Sequence, residues 1–562
     1  MLCLKGELPT IKQSSATTSA LQPVANNSIS SRLKLAIKMH RWRIAFLVFV
    51  AIYASLLVIN LGYMSTQWDE MPHLNGGLLL TRGQTQLYLT TYGYYPPLFD
   101  LFTTGYLQIF GVAPIAGRLV SVTFALLALW VAYEFANKMY GPKNALIASI
   151  LLGTMPGFFW VSRITMLETM VIFFFTLIMF LFYSWITKNS KKTLIFTGLA
   201  LGIGILAKYE IIVAAIAMIA TLLFLLRKRL KLNLTKLIII LVIATLVAVP
   251  WFFMIYQLNG VTKFQTVQYV IQSGADSRPS YSNRFFAPVF YLIELTWPYN
   301  YAPVHPISLP IFILGLSGLG LFAYRRKKQD VFLLTWFLAI YVFFTIIPNR
   351  QWRYVDPVFP ILAISAASFI IFLYSRVRAW TPGKIVLSGD RSKKLAALFF
   401  IILAASTVSY SSYDAFQMTA RDQIHIPIDE ATYYLSGHLD QNQSAVLVCA
   451  TNLLDQDMFR FYLPANMSAD QIWQYPNLAV DAFTPNFNLT EFLGLCHQRN
   501  VKYIILFDYG PHTQFYNSTL DYTQVQTMIY NTHRFGDPLD QPFFGTFSNN
   551  KGYRLFLVRL LG

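Results

Sequence analysis

Residues 193–226 read TLIFTGLALGIGILAKYEIIVAAIAMIATLLFLL, and how this run divides decides what the chain is. As one helix it would be about 50 Å long, against a hydrocarbon core of about 30 Å. Its only interruption is Lys208-Tyr209-Glu210. A charge held at mid-bilayer costs about 3 kcal/mol on insertion scales. A hairpin turning at Lys208, near the far interface, is therefore the cheaper solution, and it makes two spans of the run, 193–207 and 210–226.

Working outward, comparable apolar stretches fall at 43–62, 115–137, 144–160, 166–187, 236–258, 307–323, 330–347, 355–374 and 395–411, about eleven spans in all. Composition agrees. The 562 residues are 55% hydrophobic and only 12% charged, which excludes a soluble enzyme over most of the length. The expected architecture is an all-α polytopic membrane protein in three parts. Residues 1–42 form a basic cytosolic tail with no signal peptide, 43–411 the transmembrane part, and 412–562 a small extracytoplasmic α/β domain.

The net charge of +18 raises the question of nucleic acid. Segments placed inside hold 27 of the 44 basic residues and 4 acids, whereas outer segments before residue 412 hold 9 and 8. The excess thus follows the positive-inside bias, with the N-terminus cytosolic, and no nucleic-acid partner is implied. An odd number of spans puts 412–562 outside. That stretch has strand-like runs at 445–449, 503–507 and 554–558, with a helical stretch at 488–500. Sequons at Asn442, Asn466, Asn488 and Asn517 suit an outer location. Cys449 and Cys496 are either a disulfide pair or two ordinary buried thiols.

Polar groups recur in the tight turns of one membrane face. Arg163 and Glu168 lie in the turn at 161–168, Lys208 and Glu210 in the next, and Arg350, Arg353 and Tyr354 in a third. The first outer loop adds Trp68-Asp69-Glu70 and Tyr94-Tyr95-Pro96-Pro97. Ionisable groups at helix ends often snorkel or pair with each other. Carboxylates and cations together on one face also suit a reaction at the lipid–water boundary. Arginine and lysine hold a lipid-linked phosphate, and a carboxylate takes a proton from an acceptor hydroxyl.

The order of these residues resembles family-39 glycosyltransferases of the GT-C group, which includes protein O-mannosyltransferases and the lipid A aminoarabinose transferases. The resemblance rests on Trp68-Asp69-Glu70, Tyr95-Pro96-Pro97-Leu98, Gly111 with Arg118, and Ser162-Arg163 followed by Glu168. It continues in Gly202 to Lys208-Tyr209, then Arg353-Tyr354 with Pro357 and Pro360. It implies a GT-C fold, a polyprenyl-phosphate sugar donor, inverting transfer outside the membrane, and a protein, glycan or lipid acceptor. Asp69 matches the proposed base, Glu70 its partner, and Glu168 a position where many relatives have aspartate. Lys208 and Arg353 match positions near the lipid phosphate. The expected catalytic set is Asp69, Glu70 and Glu168, and Tyr95, Pro96, Arg118, Arg163, Lys208, Arg350, Arg353 and Tyr354 are expected to line the donor subsite. Tyr95 stands where the aminoarabinose transferases have a phosphate-contacting lysine, which argues against that substrate. A prokaryotic, archaeal-type enzyme is the reading, because the loop at 259–306 is too short for a β-trefoil repeat.

Alternatives remain in view. Asp69, Glu70 and His73 facing one way on a helix would bind a divalent metal, although the expected chemistry requires no cofactor and His73 is more simply a polar loop residue. Oligosaccharyltransferases share the GT-C architecture, but their Trp-Trp-Asp-Tyr-Gly signature is absent. A transporter or lipid flippase would carry its charges near mid-bilayer, not at helix ends. Gly198, Gly202 and Gly204 read as close helix packing rather than a phosphate cradle.

Overall fold

The structure, a computed structural model, describes residues 29–225, 230–272, 285–296, 305–379, 389–421, 425–448, 454–475, 488–508, 535–538, 543–544 and 554–560. The run that opened the reading divides as expected. Helix Lys191–Ile205 ends, a 3-10 turn occupies Tyr209–Ile212, and helix Val213–Leu225 returns. Gly198 and Gly202 let this hairpin lie against helix Leu230–Asn259. A Cβ on Gly202 would sit 2.7 Å from Val247 Cβ and 2.8 Å from Ala244 O.

All eleven expected spans are helical in whole or large part, but they are not equal. Seven helices are long and apolar enough to cross a membrane: His40–Val58, Pro114–Tyr140, Glu168–Lys188, Asn233–Asn259, Lys328–Ile346, Trp352–Val377 and Ala397–Gln417. Tyr209–Leu225 and Leu309–Arg325 are apolar but shorter. Lys191–Ile205 has 15 residues, and the expected 144–160 span breaks at Pro156 into Pro142–Thr154 and Pro156–Val161. The protein is a multi-pass helical membrane protein. The tail also differs from expectation, since residues 29–42 continue as the opening turns of helix Ile29–Val58.

One core joins these helices. Phe175 stacks on Trp336 at 5.7 Å, and Phe182 and Phe332 are fully buried with them. One end of the bundle is closed by ion pairs. Arg325 grips Asp330 (2.7 and 2.8 Å), Tyr140 donates to the same carboxylate (2.7 Å), and Arg43 meets Glu134 (3.1 Å).

The other end carries three helices where a loop was expected: Met71–Thr81, Thr85–Thr91 and Leu98–Phe110. The last is two-faced. Phe99, Thr103 and Leu107 face the core, while Leu101, Phe102, Ile109 and Phe110 are exposed, which suits a helix lying at the interface.

The carboxy-terminal strands are β1 (Ser444–Val448), β2 (Ile472–Tyr475), β3 (Val501–Asp508), β4 (Phe535–Pro538), β5 (Phe543–Phe544) and β6 (Arg554–Leu560). They form a mixed sheet in the order β2-β1-β3-β6-β4, with β5 pairing β6. β1 is parallel to both neighbours, and β3 and β6 are antiparallel. The three expected strands are therefore β1, β3 and β6, and the helical stretch is Leu489–Gln498. One sheet face shares a core with Met71, Leu74 and Leu78. Polar ties reinforce that seat: Asn75 Nδ2 donates to Asp457 O (3.1 Å) and Arg82 Nη2 to Leu463 O (2.6 Å). Cys496 is buried and unbridged, and Cys449 lies outside the described residues.

Candidate active site

The segment after the first span is fixed by an ion pair. Glu70 is fully buried and accepts from Arg118 Nε and Nη2 (both 2.9 Å), Thr165 N (2.8 Å) and Gln67 N (2.9 Å). Arg118 spends its remaining N–H groups on the carbonyls of Leu61 and Met64 (both 2.8 Å) and Ser65 (3.1 Å). Burial alone would raise the Glu70 carboxyl, but the Arg118 guanidinium overrides it and holds the group below its ordinary range. Neither residue has a polar atom to spare. Glu70, expected to be catalytic, and Arg118, expected to bind substrate, are turned to each other and brace the turn that carries Asp69.

Arg163, expected to line the donor subsite, is likewise turned to the backbone. It donates to the carbonyls of Leu56 (3.0 Å), Leu57 (2.7 Å) and Ile59 (2.8 Å), at the open C-terminal end of helix Ile29–Val58. That is a helix cap supplied from another segment. Arg350 Nε donates to Thr345 O (3.1 Å) in the last turn of helix Lys328–Ile346.

Four other expected residues do meet. Arg353 Nη1 lies 3.0 Å from Asp69 Oδ2 and 3.9 Å from Glu168 Oε1, and its Nη2 donates to Gln351 (2.8 Å). Lys208 Nζ reaches Glu168 Oε1 (3.4 Å) and Glu210 Oε1 (3.1 Å), and lies 5.6 Å from the Tyr354 ring centre. Burial opposes the Lys208 charge, yet the carboxylates of Glu168 and Glu210 raise its affinity for the proton above the ordinary lysine value. Asp69 is the open member, with 59% of its side chain exposed against 5% for Glu168.

Tyr95 belongs to the same place. The 94–98 turn is clamped to the 206–209 turn by Leu98 N to Leu206 O (2.9 Å) and Tyr209 OH to Tyr94 O (2.6 Å). Burial, with Asp69 next to it, pushes the Tyr95 hydroxyl up to about 12, so it is a neutral donor at working pH. Pro96 is buried beside it and, lacking an N–H, serves the shape of the turn.

Two acids outside the expected site residues complete the picture. Asp356 is fully buried at the start of its span, and neither carboxylate oxygen has a hydrogen-bond partner among the described residues. Asp100 is fully buried too, accepting from His73 Nδ1 (2.7 Å) and Tyr88 OH (2.9 Å). Each had a sequence signal, a lone acid inside an apolar run. His73 is not a loop residue: it is buried in helix Met71–Thr81. With Glu70 turned to Arg118 and His73 to Asp100, the Asp69–Glu70–His73 metal set does not assemble, and no trio of His, Cys, Asp or Glu is arranged for a metal among the described residues.

Chemically, this cluster offers two cations, a neutral phenol and an exposed carboxylate at the end of a helical bundle. These are groups for holding an anion and taking up a proton.

Known proteins share this frame. The family described as dolichyl-phosphate-mannose-protein mannosyltransferase matches residues 95–253. An undecaprenyl phosphate-alpha-4-amino-4-deoxy-L-arabinose arabinosyl transferase 1 from Proteus mirabilis (strain HI4320) is 26% identical over 321 residues. That match covers 55% of this chain and 53% of the relative, so it spans about half of the relative's length. The crystal structure of ArnT from Cupriavidus metallidurans bound to undecaprenyl phosphate superposes with a TM-score of 0.60 at 14% identity, covering 92% of this chain and 98% of that one. The Archaeoglobus fulgidus oligosaccharyltransferase, solved with Zn and sulfate, gives 0.52 at 12% identity, covering 81% of this chain and 67% of that one. The chain has the GT-C fold, and the resemblance to the family-39 type stands on these likenesses.

Proposed function

We propose that this protein is a glycosyltransferase that moves a sugar from a polyprenyl monophosphate to an acceptor hydroxyl on the extracytoplasmic face. The observation that carries the reading is the meeting of Asp69, Glu168, Lys208 and Arg353 from four separate segments, with Tyr95 on a turn clamped to that of Lys208. Lys208 and Arg353 bind the phosphate and stabilise its charge as it leaves. Arg353 now holds Asp69; an arriving phosphate competes for that guanidinium and frees the carboxylate. Asp69 then takes the proton of the acceptor hydroxyl. The acceptor oxygen forms a bond to the anomeric carbon from the face opposite the phosphate. The bond from that carbon to the phosphate oxygen breaks, its electron pair leaves with the polyprenyl phosphate, and configuration inverts.

The sugar is a neutral hexose of the mannose type, and the acceptor is a protein hydroxyl. The description of the matching family supports this, as does a tyrosine at position 95 in place of a cation. The scheme draws on protein side chains alone. Purified protein in detergent, given labelled dolichyl-phosphate mannose, glucose or galactose and a Ser/Thr-rich peptide, should label the peptide from the mannose donor. Release of labelled sugar from none of the three donors, to peptide or water, would overturn the reading.

A further inference from the structure

Asp100 is the lone acid in LFDLFTTGYLQIF, and the scheme above leaves it unused. A fully buried carboxylate is costly unless bonded, and apolar residues of similar size would pack a helix junction at least as well. Here it is accommodated with some care. Gly76 faces it: a Cβ there would lie 3.0 Å from Asp100 Oδ2 and 3.2 Å from Tyr88 Cε2. Burial and the adjacent Asp100 raise the Tyr88 hydroxyl far above its ordinary value, so Tyr88 donates to Oδ2 at any working pH. The other oxygen, Oδ1, faces His73 Nδ1 at 2.7 Å. A carboxylate only accepts, so Nδ1 carries a proton, and in the neutral ring Nε2 is the acceptor. Nε2 has no hydrogen-bond partner among the described residues.

Position gives that nitrogen a use. His73 follows Asp69 by four residues, about one helical turn. Its ring lies 4.9 Å from the Tyr95 ring, on the segment clamped to the turn that carries Lys208. The His73 ring is buried, with 4% of its side chain exposed, and lies against the Tyr95 ring. Resting on the proposed function, we propose that His73 contacts substrate, its Nε2 accepting a hydrogen bond from a sugar or acceptor hydroxyl, and that Asp100 is the positioning residue that fixes the tautomer. Tyr88 in turn holds Asp100.

Asp100→Asn tests this without removing bulk. The amide oxygen still accepts from Tyr88, while the amide N–H₂ donates to Nδ1 and drives the ring proton to Nε2, turning an acceptor into a donor. Binding of bare undecaprenyl phosphate should stay at the wild-type level. If the hydroxyl belongs to the donor sugar, affinity for dolichyl-phosphate mannose falls about 10- to 100-fold. If it belongs to the acceptor, both lipid affinities hold and KM for a Ser/Thr-rich peptide rises, or kcat falls, by that order. Either result supports the proposal. Wild-type values throughout, or an equal loss for bare undecaprenyl phosphate, would overturn it.

Should Asp100→Asn fail to fold, His73→Phe combined with Asp100→Leu replaces the pair by apolar residues, and the same split between bare and sugar-bearing lipid is expected. Retention of wild-type discrimination in that double variant would equally sink the proposal. A wild-type protein that binds neither undecaprenyl phosphate nor dolichyl-phosphate mannose would instead remove the proposed function on which this inference rests.

Discussion

Asp69 and Glu70 are neighbours in sequence with opposite fates, and the difference lies in what surrounds each carboxylate. Glu70 is enclosed and saturated; Asp69 is open and shares one arginine. Asp69→Asn keeps shape and most hydrogen bonding but removes the proposed base. Turnover should therefore fall about 10²- to 10⁴-fold while undecaprenyl phosphate still binds, measured by single-turnover transfer and by lipid titration. Near wild-type turnover would place the base elsewhere. Glu70→Gln should act on stability instead, costing about 3–5 kcal/mol because it leaves buried Arg118 without its countercharge. The pH sign follows from the depressed carboxyl. The stabilisation is fully present above the unfolded value near 4.5 and is lost as pH falls through the lower folded value. Thermal unfolding of wild type and Glu70→Gln should thus differ most near neutrality and converge in acid; a gap independent of pH would contradict the ion pair.

The hairpin holding Lys208 shows how an element delivers a residue. Its position depends on Gly198 and Gly202, which bring Lys191–Ile205 against Leu230–Asn259. Gly202→Val should force the two helices apart at a cost of about 1–3 kcal/mol and weaken undecaprenyl phosphate binding through the displaced turn. Gly320→Val, in helix Leu309–Arg325 with open space around its Cβ position, is the matched control and should leave binding intact. Equal effects in thermal unfolding and lipid titration would refute the packing argument. This hairpin was legible in the sequence because one charged tripeptide divides an otherwise apolar run. The three helices between 71 and 110 were not, since short two-faced helices lack the long apolar signal of a span. The contacts of Arg118 and Arg163 were hidden for a related reason. Their partners are backbone carbonyls more than 50 residues away, and no motif reports where a helix end will lie in space.

The whole molecule joins two arguments about sides that are independent of each other. Packing puts the carboxy-terminal sheet on the same end as the Asp69 cluster, because its core is continuous with Met71, Leu74 and Leu78 just after Asp69. Charge decides which side of the membrane that end faces. With 27 basic residues in the opposite segments against 9 on the cluster's side before residue 412, the cluster should face away from the cytosol. Both inferences can be read in one experiment on intact cells, starting from a chain in which Cys3, Cys449 and Cys496 are replaced. A cysteine at exposed Asn466 and one at exposed Leu87 in helix Thr85–Thr91 should both react with an impermeant thiol reagent, whereas one at Lys327 should react only after permeabilisation. Labelling of Lys327 alone would invert the topology and leave the cluster facing cytosolic substrates. Opposite behaviour of Asn466 and Leu87 would break the packing argument instead, because two sites joined through one core cannot lie on two sides of a membrane.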